Sequence, residues 1–131
     1  MDALLTELKS AWRGPLAAKG RTMRVASLDA PPPRPSEAAL RQTLNVLADN
    51  AFVHGEGTVR VVARDAGDAL AIDVSDDGPG VAPGLDVFAR RAGGHGGHGI
   101  GLALARTLAE ADGGGLVHAS GSTFTLLLPT S

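Results

Sequence analysis

The sequence predicts one α+β domain, a two-layer sandwich in which a mostly antiparallel sheet packs on about three helices. Three observations lead there. Three segments carry apolar residues at helical spacing, and five shorter ones read as strands, three of them alternating apolar with polar residues. Four of those five strands fall into two hairpins. The chain has 131 residues, 44% of them hydrophobic but only 3% aromatic, so one core built from Leu, Val and Ala is expected across residues 1–131.

The elements follow in order. Over 2–19, Leu4, Leu5, Leu8, Ala11 and Trp12 recur every three or four residues, which predicts an amphipathic helix stopped by Gly20. Residues 22–27 set Met23, Val25 and Ser27 against Arg24 and Ala26, a strand pattern. Pro31, Pro32, Pro33 and Pro35 then form a stiff connection. Ser36 is a good N-cap and Glu37 suits a first helical turn, with Leu40, Leu44, Leu47 and Ala51 on one face as far as about His54. Gly55 and Gly57 end that helix. Strands over 58–64 and 69–76, joined by Asp65-Ala66-Gly67-Asp68, form a hairpin. Residues 82–99 are rich in glycine and read as a long loop, of the kind that serves as a lid or stays disordered. From Ile100, the stripe Leu104, Leu108 and Ala111 predicts a third helix, stopped by Gly113-Gly114-Gly115. Strands over 116–119 and 123–128 close the chain.

Composition removes several classes of function. A net charge of −2 gives no electrostatic reason to expect nucleic acid or an anionic membrane surface. Without cysteine there is neither a disulfide framework nor a thiolate metal site. No apolar run approaches the ~18 residues of a membrane span, and Met1-Asp2-Ala3-Leu4-Leu5 lacks the basic flank of a signal peptide.

The chemistry concentrates at Ile72-Asp73-Val74-Ser75-Asp76-Asp77-Gly78-Pro79-Gly80. Leu70, Ile72 and Val74 share one strand face, and Asp76 continues their phase, so a carboxylate is expected to point inward and to need hydrogen bonds. Gly78 and Gly80 bare the backbone beside it. Two further polar features sit on apolar elements. Asn50 flanks the core face of the second helix and can offer an oxygen to a hard cation. Gly97-His98-Gly99-Ile100-Gly101 opens the third helix, where free N–H groups favour an anion. His95 and His98, three apart in the glycine loop, are read as loop histidines rather than a zinc site.

An Asn on a helix, an Asp-x-Gly-x-Gly turn after a strand and a glycine-rich helix start, in this order, resemble the catalytic ATP-binding domain of the two-component sensor histidine kinases. That family lies in the GHKL superfamily, whose domain is the Bergerat fold. Leu47-Ala48-Asp49-Asn50-Ala51 matches its N box, Asp76-Asp77-Gly78-Pro79-Gly80 its G1 box, Val87-Phe88-Ala89-Arg90 its F box, and Gly97-His98-Gly99-Ile100-Gly101-Leu102-Ala103 its G2 box. Gly121-Ser122-Thr123-Phe124 resembles its last motif. The resemblance runs from about Glu37 to Thr130. It implies ATP and Mg²⁺ as ligands, Asn50 on the metal, Asp76 on the adenine amino group, and Gly78 and Gly80 around the adenine. It further implies a lid over about 82–99 pinned by Phe88, Gly99 and Gly101 facing the phosphates, Gly97 and Leu102 also on the nucleotide, and Thr123 near the adenine.

Departures from the family pattern are informative. A second Asn often stands one turn before the metal ligand; here the position is Val46, with Asn45 one step off. A basic residue often follows the Asn by three; here it is Val53, leaving His54, Arg90 and Arg91 as substitutes. Relatives that hydrolyse ATP or phosphorylate serine unaided carry a Glu where Val46 stands, and valine takes no proton. No catalytic residue set is therefore self-contained. None of His54, His95, His98 and His118 is followed by an acid, so no phosphoacceptor or dimerisation domain is expected in this chain. The resemblance implies a cytoplasmic domain without membrane contact of its own, whether or not the full-length protein is anchored. Its partners would be the phosphoacceptor helical hairpin of the same kinase and, indirectly, a response regulator, with no nucleic acid. The alternatives are an anti-sigma-type serine kinase and a nucleotide-sensing or partner-binding module without phosphotransfer.

Overall fold

The computed structural model describes residues 2–78 and 98–130. Helix α1 (Asp2–Ala17) buries Leu4, Leu5, Leu8 and Leu16. Trp12 packs half-buried against these leucines, so Ala11, expected inside, faces solvent while Leu16 takes an inner position. Past α1 the chain turns at Gly20, φ 68°, where its N–H donates to Ala17 O and the Arg21 N–H to Leu16 O. That paired closure needs a left-handed residue, which is why the helix stops at a glycine.

Strand β1 (Met23–Leu28) alternates buried and exposed residues as expected. The proline segment is pinned to the far end of the sheet: Pro33 bridges Thr130, and the Arg34 N–H donates to Pro129 O at 2.8 Å. Helix α2 (Glu37–His54) begins under Ser36, whose Oγ accepts the Ala39 N–H at 3.1 Å. Its expected face, Leu40, Leu44, Leu47 and Ala51, is buried.

Strands β2 (Val59–Asp65) and β3 (Ala69–Ser75) form the first hairpin, with Val61 opposite Val74 and Ala63 opposite Ile72. Helix α3 (His98–Ala111) starts two residues before the expected Ile100 and ends in a second glycine closure at Gly113, φ 86°. Strands β4 (Gly115–Ser120) and β5 (Thr123–Pro129) form the second hairpin. The five strands lie in the order β1-β2-β3-β5-β4. Only β1 and β2 run parallel, because α2 carries the chain across between them.

The three helices cover one face of the sheet, and Leu5, Leu16, Leu40, Leu44, Leu47, Leu70, Ile72 and Leu126 fill the space between the layers. Strand alternation turns Asp73 and Thr125 to the opposite face. There Arg64 Nε donates to Asp73 Oδ2 at 2.7 Å and Thr125 Oγ1 to Asp73 Oδ1 at 2.6 Å, linking β2, β3 and β5. The Arg64 guanidinium, ahead of the Thr125 hydroxyl, holds the Asp73 carboxyl below its ordinary value against the opposing pull of burial. This arrangement places the C-terminal ends of α2 and β3 side by side, and the polar residues gather there.

Candidate nucleotide site

Asn50 lies in the last turn of α2, next to the buried Ala51. It is half-buried, and its amide bonds no side chain or backbone group among the described residues. An oxygen free at a helix border is what a ligand role requires. Its neighbours explain the departures. Asn45 is spent on structure: its Oδ1 accepts the Trp12 indole N–H at 3.0 Å and its Nδ2 donates to Arg41 O at 2.9 Å. Val46 packs against the core, Asp49 faces solvent, and Val53 is 48% exposed.

The connection from α2 to β2, residues 55–58, is where the two ends of the site meet. Arg21, two residues before β1, donates to Ala51 O (3.0 Å), Phe52 O (2.9 Å) and Gly57 O (3.0 Å). It thus adds a second donor to Ala51 O, which already accepts the Gly55 N–H at 2.9 Å, and supplies one to Phe52 O near the helix end, where carbonyls lack intrahelical partners. Asp77 holds the same connection from the other side. Its Oδ2 accepts the Thr58 N–H at 2.8 Å, its Oδ1 accepts Arg60 at 2.8 Å, and its own N–H donates to Glu56 O at 2.9 Å. The Thr58 amide first, then Arg60, holds the Asp77 carboxyl below the ordinary range. At Gly57, φ 63°, a side chain would strike the Asp77 carboxylate as well as strain the backbone.

Asp76 follows the end of β3. It is half-buried rather than fully inward, because the strand stops at Ser75 and the chain begins to turn. The expected hydrogen bonds are present. Asp76 Oδ1 accepts the Gly78 N–H at 2.6 Å and, more loosely, the Glu56 N–H at 3.4 Å. Its Oδ2 accepts nothing among the described residues and rests over Gly55, where an added Cβ would collide with it. Gly78 is close for the same reason: a Cβ there would lie 2.8 Å from Asp76 Oδ1. From the other hairpin, Ser122 Oγ donates to Asp76 O at 2.8 Å, tying the β4–β5 turn to the site. Thr123 is half-buried at the start of β5, one residue before Phe124, which pairs with Val74. His118 braces that turn, with Nε2 2.7 Å from Gly121 O and its ring stacked on Phe124.

Asn50, Asp76, Gly78 and Thr123 therefore sit on elements that converge. Gly99, Gly101 and Leu102 fall in the first turns of α3, which packs against α2; Leu102 is buried at 6% exposure. Gly80, Phe88, Gly97 and the expected lid as far as residue 97 lie outside the described residues, while positions 98 and 99, expected in the lid, open α3 instead. Arg21, Asp77 and Ser122 were given no role by sequence reasoning. Arg21 acts over 30 to 36 positions, and no local pattern marks it.

Residues 36–131 match the family described as histidine kinase-, DNA gyrase B- and HSP90-like ATPases. The chain belongs to that family. It is 36% identical over 105 residues to the sensor histidine kinase component HK1 of Mycobacterium tuberculosis, an alignment covering 70% of this chain and 61% of the relative. The histidine kinase AdeS of Acinetobacter baumannii has the same fold, with a TM-score of 0.82 at 21% identity over 99% of this chain and 64% of that one. Full-length ShkA, solved in complex with AMPPNP, superposes with a TM-score of 0.72 at 28% identity over 98% of this chain and 30% of that one. The chain thus spans about three fifths of the length of the Mycobacterium tuberculosis relative HK1, and 13% to 27% of the other curated relatives it matches. The expected α+β sandwich, three helices against a mostly antiparallel sheet, is the fold of these kinases. Among the described residues no helix is long and apolar enough to cross a membrane.

Proposed function

We propose that this chain binds Mg²⁺-ATP and presents the γ-phosphoryl group to a histidine on a separate phosphoacceptor domain, as part of a sensor histidine kinase. The observation that carries the reading is the division of labour in Asp76. Backbone N–H groups occupy Oδ1 and fix the carboxylate, which leaves Oδ2 as an oriented acceptor with no partner among the described residues. An acceptor of that kind takes an exocyclic amino group, as adenine offers, and rejects the carbonyl guanine carries there. Thr123, Gly78 and Gly80 would complete the adenine side.

The residues fit a magnesium ion held mainly by the nucleotide. Asn50 offers one neutral oxygen, and the described residues contain no group of three His, Cys, Asp or Glu side chains able to hold a metal alone. Magnesium keeps waters and phosphate oxygens among its ligands, so one protein oxygen suffices. Bound there, the ion would neutralise the phosphate charge that builds during transfer. The N–H groups at the start of α3, with Gly99 and Gly101 removing side chains, suit the phosphates. Catalysis of this kind is positioning plus charge neutralisation. Val46 cannot serve as a base, which disfavours the self-contained ATPase and serine-kinase readings.

Titration calorimetry with ATP and GTP, each with and without Mg²⁺, tests the reading. Preference for ATP, strengthened by Mg²⁺, is the expected result. Equal affinity for the two nucleotides overturns the adenine assignment.

A further inference from the structure

We propose that Arg21 and Asp77 are positioning residues that aim Asp76 by fixing the connection between α2 and β2, and so set the selectivity of the site for adenine. The inference rests on the nucleotide reading above and extends it to two residues that would not touch the ligand.

The argument follows the hydrogen bonds. Asp76 has two fixed points on its Oδ1, the N–H groups of Gly78 and Glu56. Gly78 is on its own turn. Glu56 belongs to the connection, so wherever the connection goes, one of the two points goes too. Nothing inside residues 55–58 makes that segment rigid: it holds two glycines, and glycine leaves a backbone with the most freedom to lose. Its rigidity is imported. Arg21 clamps it with three donors, two on the last carbonyls of α2 and one on Gly57. A planar guanidinium fixes direction as well as distance, which a lysine ammonium cannot do. Asp77 clamps it at Thr58, and the Asp77 N–H at Glu56 O. Asp77 is the next residue after Asp76, so the clamp closes on the ligand-facing carboxylate itself.

Gly55 makes the placement exact enough to matter. Its backbone, φ −91° and ψ −178°, suits any residue, so its glycine is not explained by conformation. Space explains it: Asp76 Oδ2 occupies the volume a Cβ would take. A shift of the connection would press on that oxygen or withdraw from it. The consecutive acids thus divide the work, Asp76 facing the ligand and Asp77 facing the scaffold. The arrangement also spans the site, since the carbonyls Arg21 holds, Ala51 and Phe52, directly follow Asn50.

The experiment compares ATP and GTP affinity by calorimetry for wild type, Arg21→Gln, Arg21→Lys and Asp77→Asn. Thermal melts report folding. Arg64→Gln is the control, because it breaks an ion pair of the same kind on the opposite sheet face, away from the connection. A loss of folded population lowers affinity for both nucleotides alike; mis-aiming Asp76 lowers the preference between them. The preference should fall about tenfold in Arg21→Gln and Asp77→Asn, the worth of roughly one hydrogen bond, and remain in Arg64→Gln. Arg21→Lys should recover melting temperature more than preference. If Arg21→Gln does not fold, Arg21→Lys and Asp77→Asn carry the same comparison. Wild-type preference kept in every folded variant overturns the positioning role alone. Equal binding of ATP and GTP by the wild type overturns the nucleotide reading and this inference together.

Discussion

Asp76→Asn separates the two oxygens of one side chain, and the structure says which way the amide will turn. Position 76 must still accept the Gly78 N–H at 2.6 Å and the Glu56 N–H at 3.4 Å. Only the amide oxygen can accept, so it takes the place of Oδ1, and the amide nitrogen is forced into the place of Oδ2 above Gly55. The acceptor offered to the ligand becomes a donor. Two consequences of different size follow. The backbone bonds lose their charge assistance but persist, a cost of about 1 kcal/mol, which for a chain of this length lowers the melting temperature by roughly 3–5 °C. The bond to an adenine amino group is lost outright and replaced by two donors facing each other. A charge-assisted hydrogen bond is worth about 1.5–3 kcal/mol, so ATP affinity should fall by roughly one to two orders of magnitude. Calorimetry and a thermal melt on the same sample read both. A folded variant with unchanged ATP affinity would refute the reasoning, because Asp76 Oδ2, which accepts nothing among the described residues, would then not be the acceptor.

Other outcomes follow from the same geometry. Asn50→Ala should leave the melting temperature within about 2 °C, since the amide bonds nothing among the described residues, yet remove the gain in ATP affinity that Mg²⁺ provides; a retained gain in calorimetry would exclude the metal role. Gly55→Ala adds a Cβ where Asp76 Oδ2 and Ala51 O already sit, so it should destabilise by about 1–3 kcal/mol in urea melts and weaken ATP binding. Asp73 is an acid whose folded pKa lies below its unfolded value, so its bonds to Arg64 and Thr125 stabilise the fold above the ordinary carboxylate range and are lost as pH falls through the folded pKa. Urea melts between pH 6 and pH 3 should therefore show a flatter decline for Asp73→Asn than for wild type. Ile72→Ala, in the centre of β3, should cost about 2–5 kcal/mol by the same assay.

Much of the fold was legible in the sequence, and the residues say why. Leu40, Leu44, Leu47 and Ala51 mark a buried helix face because their spacing follows the helical period, and Ser36 caps it through a bond three residues long. Gly20 and Gly113 stop helices because each adopts a positive φ. Local rules of this kind are written locally. The limits were also physical. Ala11 fits a helical stripe on paper, but the stripe drifts and Leu16 takes the core. The phase of β3 puts Asp76 inward, yet the strand ends at Ser75, so the carboxylate stops half-way, over Gly55. Motif order brought Asn50, Asp76, Gly78 and Thr123 to attention. It could not find Arg21, whose acceptors lie 30 to 36 residues away, or the bond from Ser122 to the carbonyl of Asp76. Contacts between elements are set by topology, and no spacing rule encodes them.

The most direct test of the account is transfer of label from γ-labelled ATP. The chain is incubated with Mg²⁺ and the nucleotide, first alone and then with a separately prepared phosphoacceptor hairpin of a sensor histidine kinase. The account predicts no stable label on this chain alone, because none of its four histidines is set as an acceptor and Val46 leaves no base for water. It predicts acid-labile label on the hairpin when both are present, lost with Asp76→Asn and with Asn50→Ala. Acid-labile label on this chain by itself, or none on the hairpin under conditions where ATP is bound, would contradict it.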